Sequence, residues 1–152
     1  MVEKVSILSH VREMFGSEVA ALSRNDLRPG YFTHLLSAAY TETIESFDAV
    51  DYGTTCCAAV VKTAAPVVID DTNDLSNGPI CPMMQAEGLK SYLGVPVFLN
   101  GVAIGALEVM HRHPNPWKKH DILSLIKLAR VAEAFLDTPR SALNATRLRV
   151  VT

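Results

Sequence analysis

The sequence predicts one domain of mixed helices and antiparallel strands, and three observations carry that expectation. Residues 91–109, SYLGVPVFLNGVAIGALEV, read as two buried strands joined at Asn100-Gly101, a pair that tolerates the positive φ angles of a type I′ turn. Residues 116–137 carry the longest helical pattern in the chain. At 152 residues the chain has the size of one ordinary domain, able to bury roughly two thirds of its unfolded surface.

Val5, Leu8, Val11 and Phe15 recur at helical spacing and predict a helix over 2–15. SEVAALSR (17–24) and YFTHLLSAAY (31–40) are strand candidates, separated by a turn at Pro29-Gly30. TETIESFDAV (41–50) predicts a short helix, and TTCCAAVVKT (54–63) another, with Thr54 or Thr55 as its cap. APVVIDD (65–71) is a strand that Pro66 opens. The turn-rich loop TNDLSNGPICP (72–82) leads into MMQAEG, one helical turn closed by Gly88. Leu89–Leu99 and Val102–Met110 flank the hairpin turn, and Gly94 and Gly105 inside them let backbone, ligand or helix approach closely. The last helix is expected to start from an Asn115 cap with Pro116 in its first position. Its apolar residues, Ile122, Leu125, Leu128, Ala129, Ala132, Phe135 and Leu136, cover more than the ~100° that one packing face requires, which points to a second packing partner. Thr138-Pro139 ends it, leaving 138–152 as a tail or linker stub after a domain of 1–137.

Composition removes several function classes. Apolar residues make up 49% and charged residues 20%, ordinary globular values. A net charge of −2 gives no electrostatic footprint for nucleic acid or an anionic membrane. The N-terminal MVEKVSILSHVREMFG is charged throughout and does not read as a signal peptide, and no apolar run approaches the ~20 residues that span a bilayer. Three cysteines, an odd number with two adjacent, do not read as a disulfide scaffold. The expected setting is cytoplasmic, with no membrane and no direct nucleic-acid partner.

The order of elements and the residues at their joints resemble a GAF domain. The matching pieces are Gly53, CCAAVVKTAAPVVIDD (56–71), GLKSYLGVPVFLNGVAIGALEV (88–109) and PWKKHDILSLIKLARVAEAFL (116–136). The resemblance runs over roughly 15–137 and is strongest from 53 onward. It implies an α+β fold: a central antiparallel sheet of five or six strands, with the first and last helices on one face and short helices and loops enclosing a ligand pocket on the other. It also implies a homodimer through helices 2–15 and 116–137, and a partner such as a kinase or transcription regulator, as in bacterial signalling regulators. Family members mostly sense small ligands and a few are enzymes, so the fold does not settle function.

Strand alternation puts Tyr92, Gly94 and Pro96 on one face, and Glu108 with Met110 on the corresponding face of the next strand. If Leu93, Val95, Leu107 and Val109 face the terminal helices, Tyr92 and Glu108 are polar groups in a largely apolar pocket, the usual make-up of a ligand site. The plainer reading of Tyr92 is a core tyrosine. Cys56, Cys57, Met83 and Met84 complete the expected lining, together with Ser91 and Asp71; the methionines form an adaptable lid or simply close the core. The Asp70-Asp71 pair reads more plainly as a turn-former than as a catalytic dyad.

The resemblance extends to the free methionine-(R)-sulfoxide reductases, GAF enzymes in which a thiolate attacks the sulfoxide and a second cysteine closes a disulfide. Cys56 and Cys81 fall at or near those two positions. The departures weigh against that alternative: the enzymes' strand glutamate falls at Tyr92, and their paired aspartates fall at Glu108 and Met110. The expectation is therefore a sensor without catalysis, with the reductase and a degenerate dimerisation module as alternatives. No cofactor is specified. The Cys-His dipeptide of bilin-binding members is absent, and haem would need an axial ligand such as His34, which reads more plainly as structural. His111 and His113 would bind a metal only if the strand ran past Met110; Pro114 and Pro116 point instead to an exposed loop, so no metal site is assigned.

Overall fold

The structure, a computed structural model, describes residues 4–27, 31–38, 41–48, 55–74, 84, 87–134 and 136. Among them, three α-helices (α1, Lys4–Phe15; α2, Cys56–Thr63; α3, Lys119–Glu133) surround six strands. The strands are β1 (Val19–Arg24), β2 (Tyr31–Ala38), β3 (Thr41–Asp48), β4 (Val67–Ile69), β5 (Ser91–Leu99) and β6 (Val102–His111). They form one sheet in the order β3-β2-β1-β6-β5-β4, antiparallel at every pairing. This is the α+β architecture that the sequence predicts. No helix among the described residues is long and apolar enough to cross a membrane.

The β5–β6 hairpin turns as expected: Asn100 and Gly101 have φ of 53° and 79°, the mirror-image turn whose twist matches antiparallel strands. Alternation then divides the two faces. Leu93, Val95, Leu107 and Val109 pack with Ile7, Leu8 and Val11 of α1 and with Leu125 and Ala129 of α3. At the far end of that layer, Arg130 of α3 donates to the Pro96 carbonyl at 2.7 Å, and the Phe98 N–H donates to the Glu133 carboxylate at 2.7 Å. Tyr92 and Met110 project from the opposite face, among Cys56 of α2, Ile69, Met84 and Leu89. Cys57 and Val60 of α2 pack beside them on Phe32 and Ala106.

Several elements differ from the sequence expectation. Residues 41–48 are a strand, not a helix: Thr41, Thr43 and Ile44 are β-branched and costly in a helix, and the segment pairs with β2 from Thr41↔Ala38 to Asp48↔Tyr31. The last helix begins after Lys118, not after Asn115; the Lys118 N–H is held by the Asp121 carboxylate at 2.8 Å. The loop before it is tied to the sheet instead, with the Asn115 N–H on the Asp70 carbonyl at 2.8 Å and the Trp117 N–H on the Asp70 carboxylate at 3.1 Å. β6 also runs one residue past Met110, to His111. The cap of α2 is Thr55, whose hydroxyl accepts from the Ala58 N–H. Residues 138–152, where the sequence places a tail or linker stub, lie outside the described residues.

Candidate functional site

Four polar side chains from four strands meet beneath α2. Glu108 of β6 is fully enclosed, at 2% exposure. Its two carboxylate oxygens accept from different hydroxyls: Ser23 of β1 donates to Oε1 and Tyr92 of β5 donates to Oε2. The Ser23 hydroxyl in turn lies 2.9 Å from Nδ1 of His34 on β2. With Glu108 ionised, that hydroxyl gives its one proton to the carboxylate, and the imidazole then donates Nδ1–H to the serine oxygen. The sheet register builds the chain: Ser23 faces His34 across β1–β2, Ala21 faces Glu108 across β1–β6, and Gly94 faces Glu108 across β5–β6. Gly94 is needed where it stands, since a Cβ there would overlap the Tyr92 hydroxyl that crosses it to reach Glu108.

Burial dominates the electrostatics. It raises the Glu108 pKa from 4.5 to about 7, against the lowering influence of the two hydroxyls. It lowers His34 from 6.5 to about 4. Tyr92 is held well above its ordinary value, by burial first and then by Glu108 and the neighbouring Cys56 and Cys57. Near neutral pH the network therefore contains a neutral imidazole, a neutral phenol and a carboxyl close to its midpoint. The order His34–Ser23–Glu108–Tyr92 is not that of a nucleophilic triad, in which the imidazole stands between the hydroxyl and the acid. What the arrangement can do is hold or release one proton, and offer a carboxyl to a hydrogen-bond donor.

Removing the Tyr92 hydroxyl tests this reading of Glu108. Tyr92→Phe leaves Oε2 without its donor and should cost about 1–3 kcal/mol. The loss should be larger at pH 8, where the carboxyl is ionised, than at pH 5, and the Glu108 midpoint should move further up. Urea denaturation at the two pH values checks it; an equal loss at both would refute the assignment.

A fully enclosed carboxyl on the α2 side of a six-stranded sheet, with terminal helices on the other side, prompts comparison with known families. The sequence profile of the GAF domain matches residues 6–136. The chain belongs to the GAF family. This is a family of sensory and regulatory ligand-binding modules. No curated protein matches the chain. The free methionine-R-sulfoxide reductase from Neisseria meningitidis, solved with its substrate, has a TM-score of 0.65 at 20% identity, over 97% of this chain and 82% of that one. The GAF domain of an Acinetobacter phosphoenolpyruvate-protein phosphotransferase has a TM-score of 0.69 at 16% identity, over 88% and 82%. NreA from Staphylococcus aureus, mutated in its nitrate-binding site, has 0.58 at 18% identity, over 80% and 92%. At these identities the likeness is one of fold.

Within this GAF domain, Tyr92, Met110, Cys56 and Met84 come together in one buried cluster. Glu108 bonds to its tyrosine, and Cys57 adjoins it, with its sulfur 3.3 Å from the Thr55 hydroxyl. Ser91 and Asp71 do not join them. Ser91 sits two residues before Leu93, on the terminal-helix face, and donates to the His113 carbonyl at 3.0 Å. The Asp71 carboxylate accepts the Asn73 N–H at 3.0 Å and shapes the loop after β4. Cys81 and Met83 lie outside the described residues. Sequence reasoning missed Ser23 altogether and left His34 as a lone strand histidine. A serine in a strand carries no signal of its own; only the β1–β2 and β1–β6 registers bring it between His34 and Glu108.

Proposed function

We propose that the protein is a small-molecule sensor: a cytoplasmic, non-catalytic, homodimeric GAF domain. Its ligand is held between the sheet and α2, with Tyr92 and Glu108 as the polar contacts and Cys56, Met84 and Met110 as apolar lining. The observation that carries this reading is the enclosed Glu108 carboxyl. Among the described residues it forms no ion pair with a cation, and an ionised carboxyl buried on hydrogen bonds alone is costly. A ligand carrying a donor or cationic group would repay that cost, and perturbed titratable groups collect at functional sites for this reason.

The sheet supplies the means of transmission. Tyr92 and Leu93 are adjacent and face opposite ways, as do Glu108 and Val109, so a shift of β5 or β6 on the ligand side is felt by α1 and α3. Those helices leave Met14, Leu123 and Val131 about half exposed (48–55%), apolar surface that supports a dimer through α1 and α3. The output would then pass to a partner such as a kinase or transcription regulator. A second reading, the thiol-dependent reductase, is favoured by one observation: Cys56 lies in the same cluster as Tyr92.

Native mass spectrometry of the protein as purified from cells, in reducing buffer, tests these readings together. The expected result is a dimer carrying a reproducible small-molecule adduct that Glu108→Gln loses. An empty dimer that reduces free methionine sulfoxide, with turnover abolished in Cys81→Ser, would replace the sensor by the reductase. An empty dimer without turnover would leave a dimerisation module, and an empty monomer without turnover would overturn all three.

A further inference from the structure

A second cluster of titratable groups lies on the other side of the sheet, where α1, β6 and the loop into α3 converge. Glu18, His111 and His113 each offer one ligating atom there, all within 4.8 Å of one another. The histidines line an open cleft of about 520 Å³ with Phe15, Trp117, His120 and Asp121. We propose that Glu18, His111 and His113 form a binding site for a divalent transition-metal ion of the zinc class.

Several features support the site. His111 is buried, at 5% exposure, yet its Nδ1 makes no hydrogen bond. Glu18 Oε2 stands 3.5 Å from that nitrogen, too far for a good hydrogen bond but close to the separation of about 3.3 Å between two ligands at tetrahedral angles on one zinc ion. The carboxylate is already oriented, because its Oε2 accepts the Arg112 N–H at 3.0 Å. The Arg112 guanidinium turns away from the cluster, to the carbonyl of Glu87. His113 Nδ1 lies 2.9 Å from the Pro114 carbonyl oxygen. Donation to that carbonyl leaves Nε2 as the lone-pair nitrogen, free to ligate a metal ion. The backbone at His113 is itself fixed by the Ser91 hydroxyl.

The donor set selects the ion. Two imidazoles and one carboxylate suit zinc and its neighbours, whereas magnesium and calcium require an all-oxygen shell. Three protein ligands leave a fourth position to water from the open cleft. β6 runs one residue past Met110 and so places His111, though not His113, on the strand. His113 follows in the bend rather than on the strand and is exposed, with a ligating atom already within 4.8 Å of those of Glu18 and His111. The site is separate from the Tyr92–Glu108 cluster, so its test does not depend on the sensor reading.

Isothermal titration of the full chain with Zn²⁺ in reducing buffer should show one ion per chain, undisplaced by excess Mg²⁺. His113→Ala, at an exposed position, should weaken binding by more than about tenfold while leaving the far-ultraviolet circular dichroism unchanged. X-ray absorption of the zinc-loaded protein should find nitrogen and oxygen neighbours at about 2.0–2.1 Å. Absence of binding, equal binding by His113→Ala, or sulfur neighbours at about 2.3 Å (zinc held by the cysteines instead) would each overturn the proposal.

Discussion

Relative to wild type, Glu108→Gln should gain about 3 kcal/mol of stability between pH 4.5 and pH 8, whatever fixed cost the exchange of atoms imposes. The folded pKa of Glu108 is raised from 4.5 to about 7. Its contribution is therefore fully present below 4.5 and lost as pH rises through 7. His34 has the opposite sign. Its pKa is lowered from 6.5 to about 4, so its contribution is present above 6.5 and lost as pH falls through 4. Between pH 4.5 and 6.5 the unfolded chain holds one proton on His34 and the folded protein holds one on Glu108. Folding transfers a proton from base to acid, and for this pair the stability is flat across that window. Each single variant removes one side of the balance. Glu108→Gln should lose stability towards acid compared with wild type, and His34→Gln should gain it. Urea denaturation at half-unit pH steps reads both slopes; curves parallel to wild type would mean that Glu108 and His34 titrate normally.

Gly105→Ala should be the most damaging single-methyl addition among the strands. Gly105 of β6 faces Arg24 of β1, and a Cβ there would overlap the Ser23 carbonyl oxygen and meet Arg24 Cα at 3.0 Å. The obstacle is backbone, which cannot rotate aside. β1 and β6 must separate, at the join between the two halves of the sheet and next to the Ser23–Glu108 contact. A loss of about 3 kcal/mol, the upper part of the usual overpacking range, should appear as a lower urea midpoint. A midpoint unchanged from wild type would show that the two strands are not packed as closely as described.

What was legible in the sequence follows from where local signals are strong. Asn100-Gly101 and the alternation around it define a hairpin by themselves, and with it the division of Leu93 from Tyr92 and of Val109 from Glu108. Residues 41–48 were not legible, because Thr, Glu, Ser and Asp give no clean period of either kind and their strand state comes from pairing with β2. The start of α3 was misread because Asn115 and Pro116 make a plausible local start, whereas Asp70, far away in sequence, fixes that loop in another role. The polar network was half legible. Tyr92 and Glu108 belong to one hairpin whose register the turn sets. Ser23 and His34 join them only through pairings between distant strands, which no local pattern specifies.

The strand order carries a consequence for how the chain assembles. β1 lies at the centre of the finished sheet, bonded on one side to β2, its neighbour in sequence, and on the other to β6, with Val19 opposite Met110. As the protein emerges during synthesis, β1, β2 and β3 can pair early, but the inner edge of β1 has no partner until residues 102–111 have been made. An open edge is a template for unwanted pairing with other chains. Closing it over so long a loop places the protein among the slow, non-local folders, in milliseconds to seconds rather than microseconds. That same seam brings Glu108 to Ser23, so the buried proton site cannot exist before β1 and β6 have paired.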